Sequence, residues 1–283
     1  MAKGRTWGQP SKRSSFRLLK TRLVRRVQST TLVYRPSFSS TRGTMVNRRT
    51  SQARDKILLS VLIPVFNEED TIRELITSVM GVSTDLFSME IIVVDDGSND
   101  GTRSILDAIP GIRVFVHEKN SGKGVALRTA LTHATGDIVI IQDGDLEYDP
   151  NDYAAVVGPI IRGEAEIVYG SRRLKKSNVQ HSALRFFVGG MALTWFTNLL
   201  YPGARLTDEP TCYKAFRLEL LKDMNLQCER FEFCPEVTAK ALRRGIKITE
   251  VPISYFPRSI NQGKKIGWRD GIEAAWTLLR YRF

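Results

Sequence analysis

"MEIIVVDDGSNDGTRSILDAI", residues 89–109, passes from an unbroken apolar run through a knot of acids and glycines into a segment with helical spacing. A run that is apolar without alternation belongs to a strand buried on both faces, and a helix directly after it is the crossover a parallel neighbour requires. The same unit recurs on either side. "ILLSVLIPVF" (57–66), interrupted by Pro64 near its end, precedes "NEEDTIRELITSVM" (67–80), where Ile72, Leu75, Ile76 and Val79 recur at helical intervals. "GIRVFVHE" (111–118) precedes "GKGVALRTALTHA" (122–134), and "GDIVIIQ" (136–142) is a fourth strand. The alternation predicts an α/β fold with a mostly parallel sheet and helices on both faces. In such sheets ligands bind beyond the carboxyl ends of the strands.

Charge is divided unevenly along the 283 residues. Fourteen of the 42 Lys and Arg lie in residues 1–54, which contain no Asp or Glu, so the formal charge of +12 belongs to that segment and the remainder is slightly acidic. A phosphate-backbone binder carries its basic residues on the folded surface, and nucleic acid is therefore not expected as a partner. Residues 1–55, rich in Ser, Thr and Arg, read as a disordered basic extension ahead of one domain over 56–283. Within it "SFRLLKTRLVRRVQ" (15–28) has the pattern of a short basic amphipathic helix, as in a transit peptide or a membrane-surface anchor. A plain tail, or a true start at Met45, are the alternatives. Three cysteines without metal spacing and three histidines support neither a disulfide framework nor a zinc site, and a reducing, cytosolic setting is the default. The longest apolar stretch, "LRFFVGGMALTWFTNLLY" (184–201), is broken by Arg185 and Asn198 and falls short of the ~20 residues of a clean span. A buried or membrane-touching helix is expected there.

Three strand ends carry candidate chemistry: "PVFNEE" after the first, "VDDGSNDGT" after the second and "QDGDLE" after the fourth. Neither G-x-G-x-x-G nor G-x-x-x-x-G-K-[ST] occurs, and "SGKG" (121–124) has the Gly and Lys without the frame. What stands at the strand ends is acid. Asp143, Asp145, Glu147, Asp149 and Asp152 crowd into ten positions, and carboxylates that close repel one another. Either they splay into solvent or a positive charge lies among them. In an extended segment residues i and i+2 point the same way, so Asp143 and Asp145 can reach one hard divalent cation, and Glu147 continues the parity. Asp149 reads as the cap of a helix starting near Pro150, and Asp152 as a solvated turn residue.

Taken in order, "SVLIPVFNEE", "IIVVDDGSNDGT", "KNSGKGVALRTALTHATGDIVIIQDGDLEY" and "VYGSR" resemble the family 2 glycosyltransferases of the GT-A fold. Within them the chain is similar to the polyprenyl-phosphate sugar synthases of the dolichyl-phosphate mannose or glucose type, over roughly Ile57 to Phe283. The resemblance implies a Rossmann-like GT-A sheet and a set of roles. Pro64, Phe66 and Glu68 match the first nucleotide-contacting segment, Asp96 the position that hydrogen-bonds the base, and Lys123 falls in the donor-binding set. Asp143 and Asp145 match the D-x-D that holds Mg2+ or Mn2+ against the donor diphosphate, and Glu147 stands where mannose synthases often have Gln. Arg172 resembles an arginine near the acceptor phosphate. "TDEPTCYKAF" (207–216) places Asp208 and Lys214 at the acidic and basic positions of a segment that reads closer to D-P-T-S-G-F-R, with Lys lacking the bidentate fork of Arg. "PRSINQGKK" (257–265) resembles a mobile loop whose Arg258 and Lys264 close over the diphosphate. Isolated charges such as Arg173 and Lys175 read as solvated.

The implied activity is a metal-dependent inverting transfer from a GDP- or UDP-linked sugar to a polyprenyl phosphate. It would take place at the cytoplasmic face of a membrane, with the chain attached peripherally or through a membrane partner subunit. Asp145, Asp208 and Arg172 form the expected catalytic set. A lipid phosphate brings its own nucleophilic oxyanion, so positioning outweighs general-base help, for which Asp208 is the one candidate. A saccharide or small hydroxylated acceptor is the alternative within this class. A non-catalytic nucleotide-sugar-binding module would be expected to lack the paired Asp, and a sugar-1-phosphate nucleotidyltransferase to carry an early Gly-rich loop.

Overall fold

The computed structural model describes residues 56–178, 184–258 and 267–283. The basic extension and the loop residue Lys264 lie outside them. The apolar runs form β1 (Ile57–Val65), β2 (Phe87–Asp95), β3 (Arg113–Val116) and β4 (Ile138–Ile141), separated by α1 (Ile72–Met80), α2 (Thr102–Asp107) and α3 (Lys123–His133). The second half adds α4 (Tyr153–Ile161), β5 (Ile167–Ser171), α5 (Leu184–Leu200), β6 (Lys214–Arg217), α6 (Leu218–Asp223), α7 (Phe233–Arg243), β7 (Ile248–Pro252) and α8 (Trp268–Arg282).

The strands make one seven-stranded sheet in the order β3-β2-β1-β4-β6-β5-β7. Every pairing is parallel except the two made by β6, which runs antiparallel to β4 and β5. The chain winds outward from β1 through β2 to β3, then crosses back to the other side of β1 as β4. That reversal leaves a crevice at the carboxyl ends of β1 and β4, the usual ligand position in open α/β sheets.

Alternation along β1 sets both faces. Leu59, Val61, Ile63 and Val65 pack with Ile72, Leu75, Ile76 and Val79 of α1, all buried, as the helical spacing predicts. Leu62 faces the opposite layer with Ala126, Leu127, Ala130 and Leu131 of α3. Pro64 is tolerated in this central strand because β1–β4 pairing ends at Leu62–Ile141, so its missing N–H falls where the ladder has already stopped on that side.

Helices α5 and α8 share a small apolar cluster of Tyr201, Ala239 and Leu278 with α7. Their exposed faces are unusual. Trp195 is 66% exposed, Trp268 73% and Trp276 62%, and Val188, Met191, Leu199 and Ile272 are exposed beside them. The intervals 188-191-195-199 and 268-272-276 each trace one helix face. Among the described residues no helix is long and apolar enough to cross a membrane.

Candidate active site

A cavity of about 1230 Å³ opens at the crevice. Its polar end is lined by Pro64 at the end of β1 with Phe66 and Glu68 beyond it, Asp96 after β2, Lys123 at the start of α3, and Asp143 and Asp145 after β4. Three sequence-distant strand ends therefore meet, and these residues come together as expected.

A positive charge does lie among the acids. Lys123 Nζ is 2.5 Å from Asp143 Oδ1, and Arg258 Nη2 is 3.0 Å from Asp145 Oδ2. The same guanidinium donates to both carboxylate oxygens of Glu68, at 3.0 and 3.2 Å. Even so, burial first, then repulsion from Asp143 and Glu147, push the Asp145 carboxyl up to about 6 against the pull of Arg258. Among the described residues the two side-chain cations Lys123 and Arg258 leave this end with negative charge in excess.

Glu147 departs from the expected set. Beyond Ile141 the chain turns, with Leu146 at φ +59°, so the extended-strand parity that aligned Glu147 with Asp143 and Asp145 does not continue. Its carboxylate accepts instead from Tyr255 Oη at 3.0 Å and Arg258 N at 2.9 Å. Among the described residues no group of three His, Cys, Asp or Glu is placed to hold a metal. Asp149 caps the turn at Pro150–Asp152 as predicted, accepting from Asn151 N at 2.9 Å. Asp152 is not merely solvated: it accepts from Ser254 N and ties down the segment leading to Tyr255.

Asp96 is held by three donors. Oδ2 accepts from Gly122 N at 2.7 Å, and Oδ1 accepts from Ser121 N at 3.0 Å and lies 2.7 Å from His117 Nδ1. The other nitrogen of His117 lies 3.0 Å from Thr129 Oγ1. His117 was not singled out in the sequence, although its place just after β3, at the carboxyl edge of the sheet, was the available signal. The glycines of "SGKG" serve packing rather than a phosphate loop. Gly122 has φ +103°, and a Cβ there would lie 2.3 Å from Glu229 O; at Gly124 one would lie 2.7 Å from Cys228 C. This close approach is what presents Lys123 to Asp143.

The second-half residues divide. Arg172 lines the cavity and is gripped by Asp208, with Nε–Oδ2 and Nη2–Oδ1 both 2.7 Å. Burial raises the Asp208 carboxyl, but Arg172 outweighs it and holds the group below the usual carboxylate range. Fully buried and saturated by that arginine, Asp208 is an orienting group; the general-base alternative does not fit. Lys214 is a clearer correction. It is fully buried, donates to Glu209 O at 2.8 Å and lies 3.3 Å from the Tyr169 ring centroid, and it does not line the cavity. β6 is central in the sheet, so its side chains point into the two core layers. Arg173, read as a solvated charge, lines the cavity instead and donates to Thr207 O at 2.6 Å, with its guanidinium 5.7 Å from the Phe187 ring centroid.

Beyond the arginines the lining becomes apolar: Phe186, Phe187, Leu193 and Phe196 from α5, Phe231 ahead of α7, and Trp268 and Ile272 from α8. Acid and apolar ends belong to one cavity.

An open, mostly parallel sheet with one reversed strand and paired aspartates beyond β4 is the architecture of the GT-A glycosyltransferases. The chain belongs to glycosyl transferase family 2, whose sequence model matches residues 60–224. It is 31% identical, over 74% of its length and 90% of the relative's, to the UDP-N-acetylglucosamine–dolichyl-phosphate N-acetylglucosaminyltransferase of Methanococcus voltae. It is 26% identical to the dodecaprenyl-phosphate galacturonate synthase of Rhizobium johnstonii, covering 75% of this chain and 62% of that one. In fold it is similar to glucosyl-3-phosphoglycerate synthase from Mycobacterium tuberculosis, solved with Mn2+, UDP and phosphoglyceric acid. The TM-score is 0.62 at 24% identity, over 80% of this chain and 78% of that one. The protein is a glycosyltransferase that acts on nucleotide sugars.

Proposed function

We propose that this glycosyltransferase moves a sugar from a nucleoside-diphosphate sugar to a polyprenyl phosphate at a membrane surface, assisted by Mg2+ or Mn2+. The observation that carries the reading is the single cavity whose acidic end passes, by way of Arg172 and Arg173, into an apolar end between α5 and α8. A polyprenyl phosphate has that order of chemistry, a dianionic head on a hydrocarbon chain. The names of the relatives from M. voltae and R. johnstonii also carry a polyprenyl phosphate.

Asp143 and Asp145 offer hard oxygen ligands in excess negative charge, which suits Mg2+ or Mn2+. Such an ion, when bound, offsets charge on the departing diphosphate. The chain supplies the rest. Asp96, fixed by its three donors, presents a carboxylate for the base. Arg258 and Lys123 add positive charge at the diphosphate end. Arg172, its fork held by Asp208, and Arg173 face the acceptor phosphate, whose own oxyanion attacks the anomeric carbon in line and inverts it. No general base is then required.

The raised Asp145 carboxyl makes cation binding proton-linked. Below about 6 the cation-free protein holds a proton there, which a cation must displace. Mn2+ affinity in the presence of UDP, followed by calorimetry, should fall roughly tenfold per pH unit below about 6 and level off above it. Constant affinity from pH 5 to 8 would remove Asp145 from the ligand set.

Membrane contact is assigned to the exposed faces of α5 and α8, where tryptophans gather as in interfacial helices. Trp195→Ala and Trp276→Ala should each weaken co-sedimentation with anionic phospholipid vesicles on the order of tenfold, with UDP binding unchanged. Vesicle binding that survives the double substitution would place the membrane contact elsewhere.

A further inference from the structure

Two cysteines that the sequence separates by strand β6 and helix α6 meet on the cavity wall. Cys212 lies on the segment entering β6 and Cys234 in the first turn of α7. Both line the cavity, and their sulfurs are 4.0 Å apart. Both are free thiols. Lys123 Nζ, which pairs with Asp143, also lies 3.1 Å from Cys212 Sγ. A continuous chain of contacts therefore runs from Asp143 through Lys123 and Cys212 to Cys234.

We propose that Cys212 and Cys234 are an oxidisable dithiol, which a peroxide converts to a disulfide that disables the nucleotide end of the cavity. The proposal goes beyond sugar transfer and stands on the juxtaposition of the two sulfurs beside Lys123. In the first step the Cys234 sulfur attacks one oxygen of hydrogen peroxide: an S–O bond forms, the O–O bond breaks, and hydroxide leaves as water with the thiol proton. The Cys212 sulfur then attacks the sulfenic sulfur, the S–S bond forms, and the oxygen departs as a second water. The two sulfurs together lose two electrons and the peroxide gains them.

Cys234 is suited to the first step. Its hydrogen bond with Cys212 and the lysines Lys214 and Lys123 hold the thiol below the usual cysteine range in spite of burial, and the thiolate is the nucleophilic form. The second step needs the sulfurs to close from 4.0 Å to a bond of about 2 Å. That movement draws Cys212 off Lys123 and leaves the lysine that orients Asp143 without its second partner. Cys228, buried and outside the cavity wall, is an internal control.

The full chain is treated with hydrogen peroxide and then with dithiothreitol. Unreduced peptides are read by mass spectrometry, and UDP is titrated in the presence of Mn2+. A cross-linked 212–234 peptide is expected, with UDP affinity about tenfold weaker, the size of one charge-assisted contact, and restored on reduction. Cys228→Ser should respond as wild type, whereas Cys212→Ser and Cys234→Ser should each keep their own untreated affinity. The proposal is overturned if the cross-link does not form, if it forms with affinity unchanged, or if the two serine variants lose as much as wild type. Reduced wild type that binds neither UDP nor GDP would instead contradict the nucleotide-sugar reading, and the cross-link alone would then decide the dithiol.

Discussion

Asp143→Asn and Asp145→Asn should each lower sugar transfer by roughly a hundred- to a thousandfold, the range for loss of one preorganised electrostatic contact at a reacting centre. The two aspartates stand on the cavity wall with a lysine and an arginine already drawn to them. That arrangement shows how much negative charge the site holds without a donor. Amides keep the shape and remove the charge; Asp143→Asn should also cost some stability, because it leaves the largely buried Lys123 without its ion-pair partner, so turnover is compared on folded protein. For Asp145 the sign can be worked out. Its carboxyl is raised to about 6, so the folded protein favours the protonated form, and the stability this contributes is lost as pH rises through about 6. A neutral asparagine removes that cost, and Asp145→Asn should melt no lower than wild type at pH 7.5 in the absence of cation. Near-normal turnover by both variants at limiting Mn2+ would overturn the assignment of these residues.

Asp208→Asn should act on stability. Removing one partner of a buried ion pair leaves the other charge uncompensated, which costs about 3–5 kcal/mol. The lower end applies here, because the Arg172 side chain remains 23% exposed. Asp208 is held below the usual carboxylate range, so its contribution is complete above the ordinary value of about 4 and is lost as pH falls through the folded value. Urea denaturation of wild type and variant at pH 7 should show the full gap, and the gap should narrow on acidification. A variant with wild-type stability and abolished turnover would return Asp208 to the role of general base.

The first half of the fold was legible because its signals are local. Four apolar runs and the spacing of Ile72, Leu75, Ile76 and Val79 fix strands, helix and burial within short windows, and the strand-end rule then locates Asp96, Asp143 and Asp145. What was not legible depends on contacts distant in sequence. Lys214 looked like a phosphate ligand because nothing in "TCYKAF" reveals that β6 is slotted between β4 and β5, which buries it. Glu147 was aligned by a parity that one left-handed residue, Leu146, breaks. Arg173 and His117 drew no weight because their neighbours in the cavity come from Phe187 and from Asp96, far along the chain. Cys212 and Cys234 carry no recognisable spacing, and only the packing of α7 against the segment before β6 brings the sulfurs together.

Transfer to a polyprenyl phosphate is tested most directly by supplying purified protein, Mn2+ and a panel of radiolabelled UDP- and GDP-sugars with a short-chain polyprenyl phosphate and a small phosphorylated acceptor, glycerol 3-phosphate, in competition. Label should pass from one of the donors into the organic phase, attached to the polyprenyl phosphate, and chelation of the cation should stop it. Label that stays in the aqueous phase on glycerol 3-phosphate, with the polyprenyl phosphate untouched, would contradict it.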